Sequence, residues 1–356
     1  MTDLFSPLSL GSITAANRIL MAPLTRCRAE GDHVPTALMA EYYAQRASAG
    51  LIIAEATMIL PGNSAFWHEP GIYSDEQIQG WRLVTDAVHQ AGGKIALQIW
   101  HGGRACHPDL NEGAIPVAPS ALAIRNEEVH TPKGKQAYTL PRALRDDEIP
   151  AIVEGFAQAA RNAMAAGFDL VEIHGANGYL LDEFLRDGSN LRTGPYGGSV
   201  ENRSRLLLET LTAVGEAIGI DKTGVRLSPL NSFNDMQDSD PIHMLDWLTT
   251  RLNDYGLAFL HLMRSDFYGR QTGDTVSVAR QNFRGPLIVN MGYTPEEAKD
   301  AVASDQVDAV AFGTAFLANP DLPERIHQQH GLNEPDPATF YTPGAKGYTD
   351  YPTMDA

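Results

Sequence analysis

The amino-acid sequence predicts an α/β fold, a (β/α)8 TIM barrel that spans residues 1–356 as a single domain. The first observation is that eight short apolar runs alternate with segments of helical periodicity, as in parallel strands joined by helices. The second is that no glycine-rich GxGxxG turn follows the first run, whereas the competing doubly wound sheet would carry one there. That run ends instead in Pro23, Leu24, Thr25 and Arg26.

The eight runs have the length of buried strands rather than of helices. They cover residues 18–24, 51–57, 94–100, 169–174, 223–228, 257–263, 286–291 and 307–313. Helical periodicity predicts helices over residues 76–91, 148–166, 200–218, 244–255 and 295–303, with a weaker pattern over 275–283. Asp146 and Ser199 are the expected N-caps of the second and third of these helices.

Two segments lie outside this alternation. The first 17 residues read as a hairpin that closes the bottom of the barrel. Residues 102–145 follow the third strand and are too long for an ordinary strand-to-helix loop. We expect them to form a lid, a binding loop or a small subdomain.

Composition excludes several classes of partner. The formal net charge of −17 argues against nucleic acid and anionic membranes, because both attract basic proteins. The longest apolar run, near residues 51–60, is interrupted by Glu55 and is too short to span a bilayer. No signal peptide is apparent at the N-terminus, and two isolated cysteines fit a reducing compartment. The sequence therefore predicts a cytoplasmic protein that acts on a small molecule.

Active sites of such barrels lie at the C-terminal ends of the strands, so polar residues there are candidates. Gln98 and Trp100 share the inward face of the third strand, because side chains alternate along a strand. Arg226 on the fifth strand needs an electronegative partner if it is buried. Either a structural ion pair with Glu55 or Glu172, or the edge of a bound ligand, would satisfy it.

The fourth strand ends in a cluster of polar side chains. His174, Asn177 and Tyr179 lie within six residues at its end. Three convergent donors suit recognition of an electronegative oxygen followed by delivery of a proton. Glycines at Gly292 and Gly313, after the seventh and eighth strands, suit the phosphate site that barrels often carry in these loops.

The absence of other catalytic groups narrows the chemistry. None of the six lysines lies at the C-terminal end of a predicted strand, which argues against a Schiff-base aldolase. The first strand does not end in a His-x-His pair, and the strand ends carry no trio of carboxylates. A metal-dependent site is therefore not expected. An organic cofactor held by its phosphate is the remaining simple source of chemistry.

Several long motifs then resemble the Old Yellow Enzyme family of ene-reductases that use flavin mononucleotide (FMN), in particular its N-ethylmaleimide and nitrate-ester reductase branch. The resemblance runs nearly end to end and is carried by residues 22–26 (APLTR), 55–57 (EAT), 98–104 (QIWHGGR), 174–185 (HGANGYLLDEFL), 192–203 (RTGPYGGSVENR), 319–322 (NPDL) and 347–351 (GYTDY).

The resemblance implies a role for each candidate residue. Gln98 and Arg226 would contact the flavin pyrimidine edge, and Thr25 would form a hydrogen bond with the flavin O4. Pro23, Leu24 and Ala56 would line the isoalloxazine, whereas Gly292, Gly313 and Thr314 would hold the phosphate. His174 and Asn177 would bind the substrate oxygen, and Tyr179 would donate the proton. The substrate pocket would be shaped by Phe66, Trp100, Asn234 and Tyr348.

The implied activity is the NAD(P)H-dependent reduction of activated C=C bonds in α,β-unsaturated carbonyls, maleimides and nitro-olefins, by a monomer or homodimer. Hydride would come from FMN and the proton from Tyr179. Thr314 departs from the family, because many members have Arg there. Phe66-Trp67 also departs, since close relatives have Tyr followed by a small residue. A barrel isomerase or lyase acting on a phosphorylated molecule, and a non-catalytic flavin-binding protein, remain the alternatives.

Overall fold

The computed structural model describes residues 2–354 and contains one closed barrel of parallel strands. In chain order the strands are β1 (Leu8–Leu10), β2 (Ile13–Ala15), β3 (Ile19–Met21), β4 (Ile52–Met58), β5 (Ile95–Trp100), β6 (Val117–Ala118), β7 (Glu128–Thr131), β8 (Gly134–Ala137), β9 (Arg142–Ala143), β10 (Leu170–Gly175), β11 (Thr223–Leu227), β12 (Phe259–Met263), β13 (Leu287–Asn290) and β14 (Ala309–Phe312). The barrel order is β10-β11-β12-β13-β14-β3-β4-β5. Each predicted run overlaps one barrel strand, so the predicted (β/α)8 fold is confirmed.

The helices surround the barrel. They are α1 (Ala37–Ala44), α2 (Asp75–Gln90), α3 (Ile149–Ala165), α4 (Leu180–Leu185), α5 (Val200–Ile218), α6 (Pro241–Leu252), α7 (Thr275–Asn282), α8 (Pro295–Ala303), α9 (Thr314–Ala318) and α10 (Leu322–Gln328). The weak pattern over 275–283 does form a helix, because the Asp274 side chain caps it by accepting from Ser277 N. Helix α6 begins three residues earlier than predicted, at Pro241, where Asp240 caps it.

One predicted cap is confirmed and the other is wrong. The Ser199 side chain accepts from Asn202 N at the start of α5, as predicted. Asp146 does not cap α3, because residues Asp146–Glu148 form a turn of 3-10 helix ahead of it. The side chain of Asp146 instead meets Arg192.

Alternation along the strands separates two layers of core. Ile53, Ala96 and Phe259 are among the apolar side chains that fill the barrel interior. Their strand neighbours Ile52 and Leu97 pack outward against the helices. Inward-facing residues near the C-terminal ends of the strands therefore point into the barrel mouth, where the site is expected.

The N-terminal hairpin closes the opposite end of the barrel. Strands β1 and β2 pair antiparallel, and Leu8 and Leu10 join the same apolar cluster as the barrel interior. Gly11 at the turn has φ +54°, and a Cβ there would lie 1.8 Å from the carbonyl oxygen of Asp221. Only glycine permits this close approach.

The long segment after β5 is an ordered insertion. Strands β7 and β8 pair antiparallel, while β6 and β9 pair in parallel. Arg104 connects the start of the insertion to the loop after β11, because its Nη2 donates to Asn234 O over 2.8 Å. The insertion thus lies at the side of the barrel mouth.

Candidate active site

A cavity of about 300 Å³ opens at the C-terminal end of the barrel. The ends of β3, β11, β13 and β14 supply its walls. Its lining residues are Ala22, Pro23, Leu24, Asn177, Arg226, Phe267, Asn290, Met291, Gly292, Tyr293, Ala311, Phe312, Gly313, Thr314 and Ala315. Seven candidate residues from widely separated parts of the sequence thus meet at one cavity: Pro23, Leu24, Asn177, Arg226, Gly292, Gly313 and Thr314.

Arg226 is buried on the cavity wall without a carboxylate partner. Its Nε has no hydrogen-bond partner among the described residues. Glu55 instead accepts from the Tyr43 hydroxyl and the Arg26 backbone. The predicted ion-pair alternative is therefore wrong, and the guanidinium is left for an electronegative ligand.

Gln98 belongs to a buried hydrogen-bond network inside the barrel. Its Nε2 donates to Glu172 Oε1 over 2.7 Å, and His261 Nδ1 lies 2.8 Å from Glu172 Oε2. Burial lowers the pKa of His261, although the Glu172 carboxylate acts in the opposite direction. Because Glu172 is occupied by these two neighbours, the Gln98 side chain is held in a fixed orientation below the cavity.

His174 is a buried, neutral imidazole beside Arg226. The two residues are register partners on β10 and β11. Burial lowers the pKa of His174 well below its usual value, and the charge of Arg226 adds to the effect. Its Nδ1 has no partner among residues 2–354. A neutral imidazole with unused hydrogen-bonding capacity can bind a ligand oxygen.

Asn177 is held on a turn after β10 by contacts from the loop after β11. It has φ +60°, a left-handed conformation that asparagine tolerates better than most residues. Its backbone N donates to Ser228 Oγ over 2.8 Å, and its Oδ1 accepts from Asn231 Nδ2 over 2.8 Å. The backbone and one end of the amide are therefore fixed, and the side chain lines the cavity.

Tyr179 lies in an aromatic cluster beside His174. Its ring meets Trp100 edge to face with 4.3 Å between centroids, and the His174 ring is 5.3 Å away. Phe66 extends the cluster, with its centroid 6.1 Å from that of Trp100. Burial raises the pKa of Tyr179 well above its usual value. The phenol therefore stays protonated and is able to donate.

The glycine loops form the other end of the cavity. Gly292 has φ +68°, and Met291 before it has φ +91°, which is strained for a residue with a side chain. Gly313 directly precedes α9, whose first residue is Thr314. Arg264 braces the first loop by donating from Nε to Met291 O over 2.8 Å. Position 314 thus brings a neutral hydroxyl rather than a charged side chain to this end of the cavity.

Two residues predicted to shape the substrate pocket, Tyr348 and Asn234, are buried side chains. Tyr348 is fully buried, and its ring stacks on Tyr42 with 4.0 Å between centroids, while Arg28 covers it. Asn234 is buried beneath the turn, where its Nδ2 donates to Asn177 O over 3.0 Å. Packing of the C-terminal segment against α1 buries the Tyr348 ring completely, and its hydroxyl has no hydrogen-bond partner among the described residues.

Two other predicted residues lie at the edge of the site. Thr25 is half-buried directly after Leu24 on the cavity wall. Ala56 packs in the aromatic cluster with Trp100 and Tyr179. Neither position conflicts with its expected role.

Sequence reasoning missed several residues at this site. His261 faces inward two positions after Phe259, so strand alternation could have found it. Phe267 and Tyr341 are exposed aromatic side chains near the mouth, and Tyr341 stacks on Phe66 with 6.0 Å between centroids. No periodic pattern marks them, because they lie on irregular segments.

Two features are absent from the described residues. Within residues 2–354 no helix is long and apolar enough to cross a membrane. The same residues contain no group of His, Cys, Asp and Glu side chains arranged to hold a metal ion.

Comparison with known proteins gives matches over almost the whole chain. The model of the NADH:flavin oxidoreductase / NADH oxidase family matches residues 3–333. A probable flavin mononucleotide-dependent alkene reductase of Leishmania infantum is 52% identical, covering 99% of this chain and 97% of that protein. The 12-oxophytodienoate reductase 1 of Oryza sativa subsp. japonica is 42% identical, covering 99% and 93%.

Solved structures agree with the sequence matches. The old yellow enzyme from Trypanosoma cruzi is 45% identical with a TM-score of 0.97 and 99% coverage of both chains. Morphinone reductase in complex with tetrahydroNAD is 46% identical with a TM-score of 0.95, covering 100% of this chain and 98% of that one. The expected FMN cofactor and nicotinamide reductant agree with these matches. The chain therefore belongs to the NADH:flavin oxidoreductase / NADH oxidase family and, within it, to the Old Yellow Enzyme ene-reductases.

Proposed function

We propose that this chain is an NAD(P)H-dependent FMN ene-reductase that reduces activated C=C bonds of α,β-unsaturated carbonyls, maleimides and nitro-olefins. The observation that carries the proposal is the grouping of His174, Asn177 and Tyr179 beside the unpaired guanidinium of Arg226. The 52% identity to a probable alkene reductase supports the same reaction class.

The residues present fit FMN in this cavity. Arg226 has an orphaned buried Nε, as a partner of the pyrimidine edge requires, and Gln98 faces inward two strands away, across β10. Pro23, Leu24, Thr25 and Ala56 would line the ring system. The loops at Gly292, Gly313 and Thr314 would receive the phosphate, because neither glycine places a side chain between the ligand and the backbone N–H groups.

When bound and reduced, FMN supplies a hydride to the β-carbon of the alkene. His174 and Asn177 bind the carbonyl or nitro oxygen and stabilise the negative charge that develops there. A preorganised donor of this kind contributes about 3 kcal/mol to the barrier reduction. Burial keeps His174 in place and excludes water from it, whereas the contacts from Ser228 and Asn231 hold the partly exposed Asn177.

Tyr179 completes the reaction by protonating the α-carbon. Its raised pKa keeps the proton on the phenol until a strongly basic carbanion forms. Trp100 fixes the ring by edge-to-face contact, and Phe66 packs against the same cluster. We assign Tyr179 as the proton donor, and Phe66 and Trp100 as walls of the substrate pocket.

The alternatives predict different behaviour. A barrel isomerase or lyase would need only the phosphate loops and would leave the unpaired Arg226 unexplained. A non-catalytic flavin-binding protein would not need a protonated phenol beside two oxygen-binding donors. Neither alternative accounts for the whole site.

One experiment separates these functions. We expect the purified protein to be yellow, to release about one FMN per chain on heating, and to be bleached by stepwise anaerobic addition of NADPH or NADH. Addition of 2-cyclohexenone should then restore the oxidised flavin spectrum. A colourless protein that cannot be reconstituted would overturn the assignment, whereas a yellow protein that is reduced but not reoxidised by any alkene would favour the non-catalytic alternative.

A further inference from the structure

We propose that Asn231 is a positioning residue that determines which end of the Asn177 amide faces the cavity. The inference rests on the proposed function, in which Asn177 must donate a hydrogen bond to the substrate oxygen. An asparagine amide can present either its NH2 group or its oxygen. Presenting the oxygen would place two electronegative atoms against each other, so the choice decides whether Asn177 helps or hinders binding.

The orientation of Asn231 is fixed by the backbone around it. Asn231 is fully buried in the loop after β11. Its Oδ1 lies 3.4 Å from Phe233 N and 3.3 Å from Phe267 N. Both of these groups are backbone N–H donors, and only the oxygen of an asparagine amide can accept a hydrogen bond from them. The amide nitrogen of Asn231 must therefore lie at the other end of the side chain.

The fixed amide of Asn231 then orients Asn177. Asn231 Nδ2 donates to Asn177 Oδ1 over 2.8 Å. Because Nδ2 of Asn231 is a donor without acceptor capacity, the atom that it meets must be the oxygen of Asn177. This leaves Asn177 Nδ2 as the end that is free to serve a ligand. A series of hydrogen bonds thus runs from two backbone N–H groups through the side chains of Asn231 and Asn177 to the substrate oxygen.

The turn that carries Asn177 is held separately, so the two effects can be distinguished. Ser228 Oγ accepts from Asn177 N, and Asn234 Nδ2 donates to Asn177 O. Neither contact involves the side-chain amide of Asn177. Asn231 consequently acts on the direction of the amide, while Ser228 and Asn234 hold its backbone.

The substitution Asn231→Asp tests this directly. A carboxylate keeps the shape and still accepts from Phe233 N and Phe267 N, but it cannot donate to Asn177. Asn177 should then turn its Nδ2 toward the carboxylate and its oxygen toward the cavity. We expect the dissociation constant of 4-hydroxybenzaldehyde, followed by flavin absorbance, to rise roughly tenfold to 100-fold, as for loss of a hydrogen bond to a charged ligand.

A double-mutant cycle distinguishes positioning from general damage. In an Asn177→Ala background, Asn231→Asp should cause no further loss of affinity, because the residue through which it acts is gone. Asn190→Asp is the matched control, since Asn190 is also buried and its Nδ2 donates only to the backbone oxygens of Phe184 and Tyr196. It should leave 4-hydroxybenzaldehyde binding unchanged.

The outcomes separate this inference from the proposed function. If the wild type neither binds 4-hydroxybenzaldehyde nor reduces 2-cyclohexenone, the proposed function fails. If the wild type does both and Asn231→Asp binds 4-hydroxybenzaldehyde as tightly as the wild type does, the inference is overturned. It is also overturned if the losses of affinity caused by Asn231→Asp and Asn177→Ala are additive. Should Asn231→Asp not retain flavin, the same cycle with Asn231→Ala should show a smaller loss, roughly twofold to tenfold, that again vanishes without Asn177.

Discussion

Gln98 and Glu172 are joined across neighbouring barrel strands by a hydrogen bond of 2.7 Å from Nε2 to Oε1. The second oxygen of Glu172 meets His261, and all three side chains are buried inside the barrel. Buried polar groups of this kind are stabilising only when their partners are present. The carboxylate therefore holds Gln98 ready beneath the proposed flavin site.

Removing the carboxylate should destabilise the fold. Glu172→Ala leaves Gln98 and His261 without their partner, and we expect the free energy of unfolding to fall by about 1–3 kcal/mol. Urea denaturation monitored by circular dichroism measures this. Glu216→Ala on the exposed face of α5 is the control and should change stability by less than about 0.5 kcal/mol. Equal stability of the two variants would contradict the role assigned to Glu172.

The barrel was predictable because its signals are local. Each buried strand is a short apolar run, and alternation along it correctly placed Gln98 and Trp100 inside. The Asp146 cap was predicted wrongly because a turn of 3-10 helix precedes α3 and satisfies the backbone differently. Local sequence does not reveal such a turn, since either geometry suits the same residues.

The site was predictable only in part, because several of its contacts join distant segments. Tyr348, for example, stacks on Tyr42, about 300 residues away in sequence, and no local pattern predicts that contact. Asn231 and His261 were missed because their importance lies in which partner they meet, not in their own position. Strand alternation could have indicated His261, whereas nothing local indicates Asn231.

A positive charge at position 314 should strengthen binding of the FMN phosphate. Thr314 begins α9 at the cavity and offers one neutral hydroxyl, whereas an arginine would give a charge-assisted hydrogen bond. We expect Thr314→Arg to lower the dissociation constant of FMN roughly tenfold or more. Riboflavin, which lacks the phosphate, is the control ligand and should bind unchanged. An equal gain for both flavins would contradict a phosphate contact.

The pH dependence of stability should carry a contribution from Glu69. This residue is fully buried, and its Oε1 accepts from Ala65 N and Phe66 N beside the substrate pocket. Burial raises the pKa of Glu69 to about 8 from an ordinary value of 4.5. The folded state thus holds a proton that the unfolded chain releases, so this stabilisation is complete below pH 4.5 and is lost as pH rises through about 8.

Glu69→Gln should remove that dependence. An amide oxygen can still accept from both backbone N–H groups, but it does not titrate. Between pH 5.5 and 8, the loss of unfolding free energy on raising the pH should be smaller in the variant, by up to about 1.4 kcal/mol per pH unit. Urea denaturation across this range measures it, with Glu216→Gln as the exposed control. Parallel curves for wild type and Glu69→Gln would exclude a buried proton on Glu69.

Replacing the proposed proton donor should separate the two half-reactions. Tyr179→Phe keeps the ring against Trp100 and removes only the hydroxyl. Reduction of the flavin by NADPH needs no proton from Tyr179, so its rate in stopped-flow absorbance should change little. Reduction of 2-cyclohexenone needs that proton at the α-carbon, and its rate should fall about 10²–10⁴-fold, as for loss of a positioned acid.

The choice of alkene tests the reason for this loss. A nitro-olefin yields a nitronate, which is stable enough to leave and to be protonated in water, so Tyr179→Phe should slow its turnover much less. Asn177→Ala should instead weaken binding of 4-hydroxybenzaldehyde as well as slowing both alkenes, because it removes an oxygen contact rather than a proton. If Tyr179→Phe reduced 2-cyclohexenone at the wild-type rate, the proton would have to come from elsewhere, with water or the unpartnered hydroxyl of Tyr348 as the next candidates.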